Sequence, residues 1–276
     1  MKKSVLTKVI ALLLLLTLCS VVFCGCCGHR GENEGSDLPE LVIGSDYYLP
    51  FVFKDDNGEL AGLDIELAKE VCRHMGINPK FVRIDWEKKN DYLSSGEIDC
   101  IWGCFSLTGR EQDYAWSLPY MNSRQVIATL EDSDIFEISD LQGKSVAVQA
   151  TSKPDEIFSG RSGVCMTVPE LKALNTFPDI SHVMTAITEG YVDAIAGHEE
   201  VFIEYMKTCT ARFKILKEPL LEVRVGVAFA KGTHAEIIER LNETFRLIQN
   251  NGYLNGLFLS YGLDPQTHLV DYDKEK

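Results

Sequence analysis

Apolar residues recur along the chain with two alternating periods. Leu41-Val42-Ile43-Gly44 is a short apolar run ending in a glycine, as a buried parallel strand does. Lys54-Asp55-Asp56-Asn57-Gly58 follows as a hairpin-like turn, and then Leu63, Leu67, Val71 and Met75 repeat at four-residue spacing before Gly76. That spacing predicts an amphipathic helix with the glycine as its C-cap. Residues 81–84 read as a strand, 87–95 as a helix and 98–102 as another strand. Such alternation predicts a parallel α/β sheet.

The pattern then restarts. Ser139-Asp140-Leu141-Gln142-Gly143-Lys144 leads into a strand over 143–149, and Thr151-Ser152-Lys153-Pro154 opens a helix. Residues 183–189 read as helical, Asp193-Ala194-Ile195-Ala196-Gly197 as a strand, 222–230 as one long apolar strand and 235–249 as a capped helix. Two α/β units in one chain imply a cleft between them. Ligands of open α/β sheets gather at the carboxyl ends of strands, and interdomain clefts are favoured pockets.

The start of the chain has a different character. Lys2, Lys3 and Lys8 precede an apolar run over 9–18, which is short for a membrane span and suits the h-region of a signal peptide. It ends in Val22-Phe23-Cys24-Gly25-Cys26-Cys27, which resembles a bacterial lipobox with Phe23 where leucine is usual; Cys26, behind Gly25, is the expected lipidation site. Residues 28–37 are glycine-rich and charged without apolar periodicity, and read as a tether. The expected organisation is a signal peptide over 1–25, a tether over 26–37 and folded structure beyond.

Formal charge is −14 across 276 residues, and removal of the three early lysines leaves the rest more acidic. Nucleic-acid binding needs a basic footprint and is excluded. Cys72, Cys100, Cys104, Cys165 and Cys209 show no disulfide framework. Cys72 and Cys100 read as small buried hydrophobes, whereas a Cys165–Cys209 bridge and free thiols remain equally open.

The longer motifs point to a family. Gly44-Ser45-Asp46-Tyr47-Tyr48-Leu49-Pro50-Phe51 and Gly62-Leu63-Asp64-Ile65-Glu66-Leu67-Ala68 resemble the opening of family 3 solute-binding proteins, the polar amino-acid receptors of ABC importers. Ser95-Gly96-Glu97-Ile98-Asp99, Trp116-Ser117-Leu118-Pro119-Tyr120, Glu189-Gly190-Tyr191-Val192-Asp193-Ala194 and Asn251-Gly252-Tyr253 follow in the family's order. The resemblance implies a two-lobed α/β fold of the type II periplasmic-binding-protein kind. Lobe 1 would be discontinuous (38–124 and 223–276), lobe 2 would span 125–222, and hinge crossings would fall near 123–128 and 222–228.

It also implies site residues. Arg110, in Thr108-Gly109-Arg110-Glu111, matches the carboxylate-binding arginine, a guanidinium suited to two charge-assisted hydrogen bonds. The alternative is a surface arginine paired with Glu111 or Asp113. Ser106 matches a position facing the same carboxylate, and Ser152 one where a helix N-terminus meets the anion; a plain N-cap is the other reading of Ser152. Tyr48 and Trp86 match aromatics that sandwich the ligand. Asp46 either reads the ligand side chain or caps the turn before Pro50. Asp64 and Glu66 read as helix-capping and surface charge.

The match breaks at the ammonium. Where the family has an Asp, Gly197-His198-Glu199-Glu200 places His198, with Glu199 one residue on, and Gly103 and Cys104 replace hydroxyl residues. Either His198 or Glu199 takes the ammonium, or the ligand lacks one. His198 with Glu199 is also the only pair for a dehydratase-like or lyase activity, since no Gly-x-Ser-x-Gly elbow, phosphate loop or zinc spacing occurs. The expected protein is a monomeric, non-enzymatic receptor without cofactor or metal. It is exported and lipid-anchored at the outer face of the cell membrane, takes an amino acid or related carboxylate, and hands it to an ABC permease. A receptor for a membrane signalling protein would share the same pocket.

Overall fold

The computed structural model describes residues 38–274, so Cys26 and the signal-peptide and tether assignments lie outside the described residues. The described residues open with β1 (Glu40–Ser45), a two-residue hairpin pair β2 (Phe53–Lys54) and β3 (Leu60–Ala61), and helix α1 (Leu63–Met75). Helix α1 buries Leu63, Leu67, Val71 and Met75 on one stripe and ends at Gly76 in the left-handed conformation, φ 63°. Then come β4 (Asn78–Arg83), a 3₁₀ turn (Trp86–Lys88) running into α2 (Lys89–Ser95), β5 (Cys100–Ile101) and β6 (Ala115–Trp116).

Strand β7 (Met121–Leu130) begins a second sheet. Its other elements are β8 (Ser145–Gln149), α3 (Lys153–Phe158), β9 (Ala173–Phe177), α4 (Ile180–Thr188), β10 (Ala194–His198), α5 (Glu199–Thr208), β11 (Phe213–Ile215) and β12 (Leu221–Val225). The chain returns to the first sheet with β13 (Ala228–Phe229) and closes with α6 (Ala235–Asn250), α7 (Tyr253–Ser260) and α8 (Pro265–His268).

The first sheet runs β4-β1-β5-β13-β6, with β4, β1 and β5 parallel and β13 antiparallel to its neighbours. The second runs β11-β7-β10-β8-β9, with β12 also on β7. Strands β8, β9 and β10 are parallel, and β7 is antiparallel to each strand it pairs with. Every residue of β10 is buried, as expected of a strand covered on both faces.

Two expectations change. The stretch 222–230 is not one strand: β12 lies in the second sheet and β13 in the first, with Gly226 and Val227 making the change. The other change falls at 117–120, ahead of 123–128, because β7 is already committed to the second sheet from Met121. The two crossing segments are bonded to each other. Tyr120 N–H donates to Val225 O at 2.9 Å, Ser117 N–H to Val227 O at 3.0 Å, and Val227 N–H to Ser117 Oγ at 3.0 Å.

All five described cysteines carry free thiols; Cys165 is exposed and Cys209 half-buried, so no Cys165–Cys209 bridge forms. No helix among the described residues is long and apolar enough to cross a membrane.

Gly62, just before α1, holds a backbone conformation that L side chains rarely adopt and packs directly against the Phe51 backbone. Its φ is +124°, and a Cβ there would sit 2.2 Å from the Phe51 carbonyl oxygen. Gly58 has φ +81° but open space around it. Gly62→Ala is expected to lose at least about 2 kcal/mol in urea unfolding, against about 1 kcal/mol for Gly58→Ala. Equal losses would contradict the close approach at Gly62.

Candidate functional site

Where the carboxyl ends of the two sheets face each other, a cavity with about 340 Å³ of empty space, including its open mouth, is enclosed. β1 delivers Asp46 and, one turn on, Tyr48. The segment after β5 delivers Gly103, Cys104, Phe105, Ser106 and Arg110. β8 delivers Gln149, and the loop to α3 delivers Ser152 and Lys153; β10 ends at His198, and Gln125 comes from β7. Trp86 completes the wall. All the residues expected from the sequence to bind ligand therefore line one cavity, except Glu199.

Arg110 is 4% exposed and is not the surface arginine of the alternative reading. Its Nε donates to Glu156 Oε1 at 2.8 Å and its Nη1 to the Ser106 carbonyl at 3.0 Å, and its guanidinium lies 4.8 Å from the Phe105 ring centroid. Lys153 holds the other oxygen of Glu156 at 2.6 Å. Glu156 thus sits between two buried cations. Burial, then the nearby Arg110, pulls the Lys153 pKa down.

The walls are tied together across the cleft. Asp46 Oδ2 accepts from Gln149 Nε2 at 2.6 Å, which replaces the turn-capping alternative with a contact between the two sheets' ends. Burial pushes the Asp46 pKa up to about 7 against the pull of Gln149 and Lys89. Lys89 lies 4.9 Å from the Trp86 ring centroid and donates to Thr151 Oγ1 at 2.6 Å. Burial, reinforced by Arg110, lowers its pKa to about 7. Tyr48 packs edge-on against His198 with centroids 6.0 Å apart, and Trp86 edge-on against Phe105 at 5.3 Å.

Glu199 and Asp64 behave differently from their sequence readings, and Ser152 takes the N-cap role that was one of its two. Glu199 faces away from the cavity, because its carboxylate grips Arg124 with both oxygens, one of them at 2.8 Å from Nε. Ser152 lines the cavity, but its N–H donates to Gln149 O at 3.2 Å and its hydroxyl receives Asp155 N–H at 3.4 Å, so it works as the N-cap of α3. Asp64 is not surface charge. It is 1% exposed, and its Oδ2 accepts the Cys104 N–H at 2.6 Å, which fixes the segment carrying Gly103 and Cys104. Glu66 is a surface group as expected, and receives the Tyr261 hydroxyl at 2.5 Å.

His198 is 5% exposed and has both ring nitrogens occupied: Nε2 lies 3.1 Å from Ser106 Oγ and Nδ1 2.7 Å from Ser123 Oγ. Burial lowers its pKa to about 4, outweighing the pull of Glu200, so the ring is neutral near pH 7. Sequence reasoning missed Gln125, Gln149, Phe105 and Lys153. The only local signal was the position of Lys153, directly behind Ser152.

The two sheets, the paired crossings and this charged, aromatic-walled cavity define a two-lobed binding protein. The chain belongs to the bacterial extracellular solute-binding proteins, family 3, which match residues 41–264. It is 25% identical over 262 residues to the L-cystine-binding protein TcyA of Bacillus subtilis, covering 89% of this chain and 94% of that one. It is 29% identical over 238 residues to the histidine-binding periplasmic protein of Escherichia coli, covering 81% and 88%. Among solved structures, an ancestral arginine-binding protein bound to arginine matches with a TM-score of 0.71 at 28% identity, over 80% of this chain and 97% of that one. The ancestral amino-acid-binding protein AncCDT-1, a precursor of cyclohexadienyl dehydratase, matches with a TM-score of 0.70 at 25% identity, over 80% and 95%.

Asp64 makes the cavity floor pH-sensitive. Burial raises its pKa from 3.8 to about 7. An acid with a higher pKa folded than unfolded costs stability once it must ionise, so the penalty grows as pH rises from about 4 to about 7. Asp64→Asn keeps an acceptor for the Cys104 N–H and removes that penalty. Relative to the unmodified protein, the variant is expected to gain stability with rising pH, by up to about 1.4 kcal/mol per unit, in denaturation at pH 4–7. A difference constant with pH across 4–7 would contradict a raised Asp64 pKa.

Proposed function

We propose that the protein is an exported, lipid-anchored receptor that encloses a small carboxylate of the amino-acid class and delivers it to an ABC importer. The observation that carries this is the buried Arg110 on the wall of a cavity formed by the facing ends of two sheets. The relatives' cystine, histidine and arginine ligands all carry a carboxylate, and a guanidinium is the natural group to hold one. Tyr48, Trp86 and Phe105 would cover the apolar part of the ligand, and Asp46 would read its far end.

In this reading the two lobes open and close about the paired crossings at 117–120 and 226–227. The Arg110–Glu156, Asp46–Gln149 and Lys89–Thr151 contacts hold the closed arrangement. A ligand shifts the balance by making contacts available only when both walls are near, and closure of this hinge type is common in binding proteins. The permease would recognise the closed form. Cys26 would carry the lipid.

A receptor is favoured over an enzyme of the same fold. General acid–base work needs a free proton carrier near the substrate. His198 is engaged at both nitrogens, and Glu199, its partner in the enzymatic reading, is bound to Arg124 instead.

Each charge-assisted bond is worth about 1.5–3 kcal/mol. Arg110→Ala is therefore expected to weaken carboxylate ligands by at least about tenfold in calorimetric titration. Near-normal affinity in that variant would sink the site assignment.

A further inference from the structure

The hydrogen bonds around His198 have a direction, and it is set by Glu200. Glu200 is 3% exposed and receives the Ser123 hydroxyl at 2.8 Å. Burial works against its charge, but the His268 hydrogen bond and its other partners hold its pKa below the usual carboxylate value, so it only accepts. His198 Nδ1 is 3.9 Å from Glu200, too far for a direct bond, and Ser123 bridges the two.

Ser123 has one proton, and Glu200 takes it. The 2.7 Å contact between Ser123 Oγ and His198 Nδ1 must then be donated by the ring. His198 is the Nδ1–H tautomer, and its Nε2 carries a lone pair. That lone pair takes the Ser106 hydroxyl proton at 3.1 Å. Ser106 Oγ in turn accepts from Gln125 Nε2 at 3.3 Å. With no proton left on Ser106 to give, the opposite amide orientation would set two oxygens against each other. The chain of bonds therefore fixes which way Gln125 points.

Two consequences reach the cavity. The Ser106 hydroxyl, expected to face the ligand carboxylate, is spent on His198. Gln125 Oε1 is a buried acceptor with no hydrogen-bond partner, on a residue that is 1% exposed and lines the cavity. A buried acceptor left unpaired is costly, and a donor on a bound molecule satisfies it. The β7–β10 register puts Gln125 directly beside His198, the position where an acid was looked for.

We propose that Gln125 Oε1, rather than an acid, reads the ligand's α-substituent. The site consequently favours a small carboxylate with a neutral α-donor, a hydroxyl, over one with an α-ammonium. An ammonium brought against this neutral amide loses its hydration without gaining a counter-charge from it. A hydroxyl satisfies Oε1 with no such loss. This inference rests on the carboxylate-receptor reading above.

The test is a calorimetric titration of the full chain with matched triplets that share a side chain: lactate, alanine and propionate; 3-phenyllactate, phenylalanine and 3-phenylpropanoate; 2-hydroxyglutarate, glutamate and glutarate. For the side chain that binds, the hydroxy acid is expected to match or exceed the amino acid and to bind about tenfold more tightly than the unsubstituted acid. Gln125→Leu should bring hydroxy and unsubstituted acids together. Gln125→Glu, nearly isosteric, should turn the preference toward the amino acid. Ligand-free melting temperatures report whether the variants fold. An amino acid preferred by wild type, with the preference surviving Gln125→Leu, assigns the α-group to Asp46 and overturns the proposal while leaving the receptor reading intact. Silence from every triplet overturns the carboxylate reading itself, and the proposal with it.

Discussion

The chain changes sheet twice, and the two segments that make the change are hydrogen-bonded side by side. Tyr120 to Val225 and Ser117 to Val227 are the bonds, with β12 continuing the pairing along β7 from Met121 to Gln125. Because both sheets hang from this one pair of segments, their strand ends must face each other. The loops at the carboxyl ends of β1, β5, β8 and β10 then converge on a single space. A single crossing would leave the two units free to turn; a paired one restricts them to a hinge. The cavity is a consequence of that topology before any side chain is considered.

What fills the cavity wall is a set of groups that each bear a cost alone. Arg110 and Lys153 are buried cations and share Glu156. Asp46 and Lys89 are pushed to intermediate pKa values by burial and are each bonded across the cleft. Breaking one partner of such a pair strands the other, so the arrangement favours the closed form as a set. In the proposed function, residues that hold the lobes together are largely those that would meet a ligand, which would couple binding to closure.

The fold was largely legible because its signals are local. The four-residue apolar spacing of α1 and the glycine at its end state the helix and its stop within a few residues. The split between β12 and β13 was not, since Val223, Val225, Val227 and Phe229 keep one alternating apolar row across it and only the pairing partners differ. In the site, motif positions brought Arg110, Tyr48, Trp86, Asp46 and His198 to one cavity. Gln125 stayed invisible because it becomes a neighbour of His198 only through the antiparallel register of β7 and β10. Asp64 looked like a helix-start charge, and only the fold shows it buried beneath Cys104. Glu199 and His198 are adjacent in sequence, but the turn from β10 into α5 sends their side chains to different partners.

The proposed function turns on two lobes closing on a carboxylate. Small-angle X-ray scattering of the full chain, with and without a ligand whose binding calorimetry has established, tests it most directly. A smaller radius of gyration is expected on saturation, lost when Arg110→Ala abolishes binding. Saturating binding with an unchanged radius would contradict closure as the response to ligand.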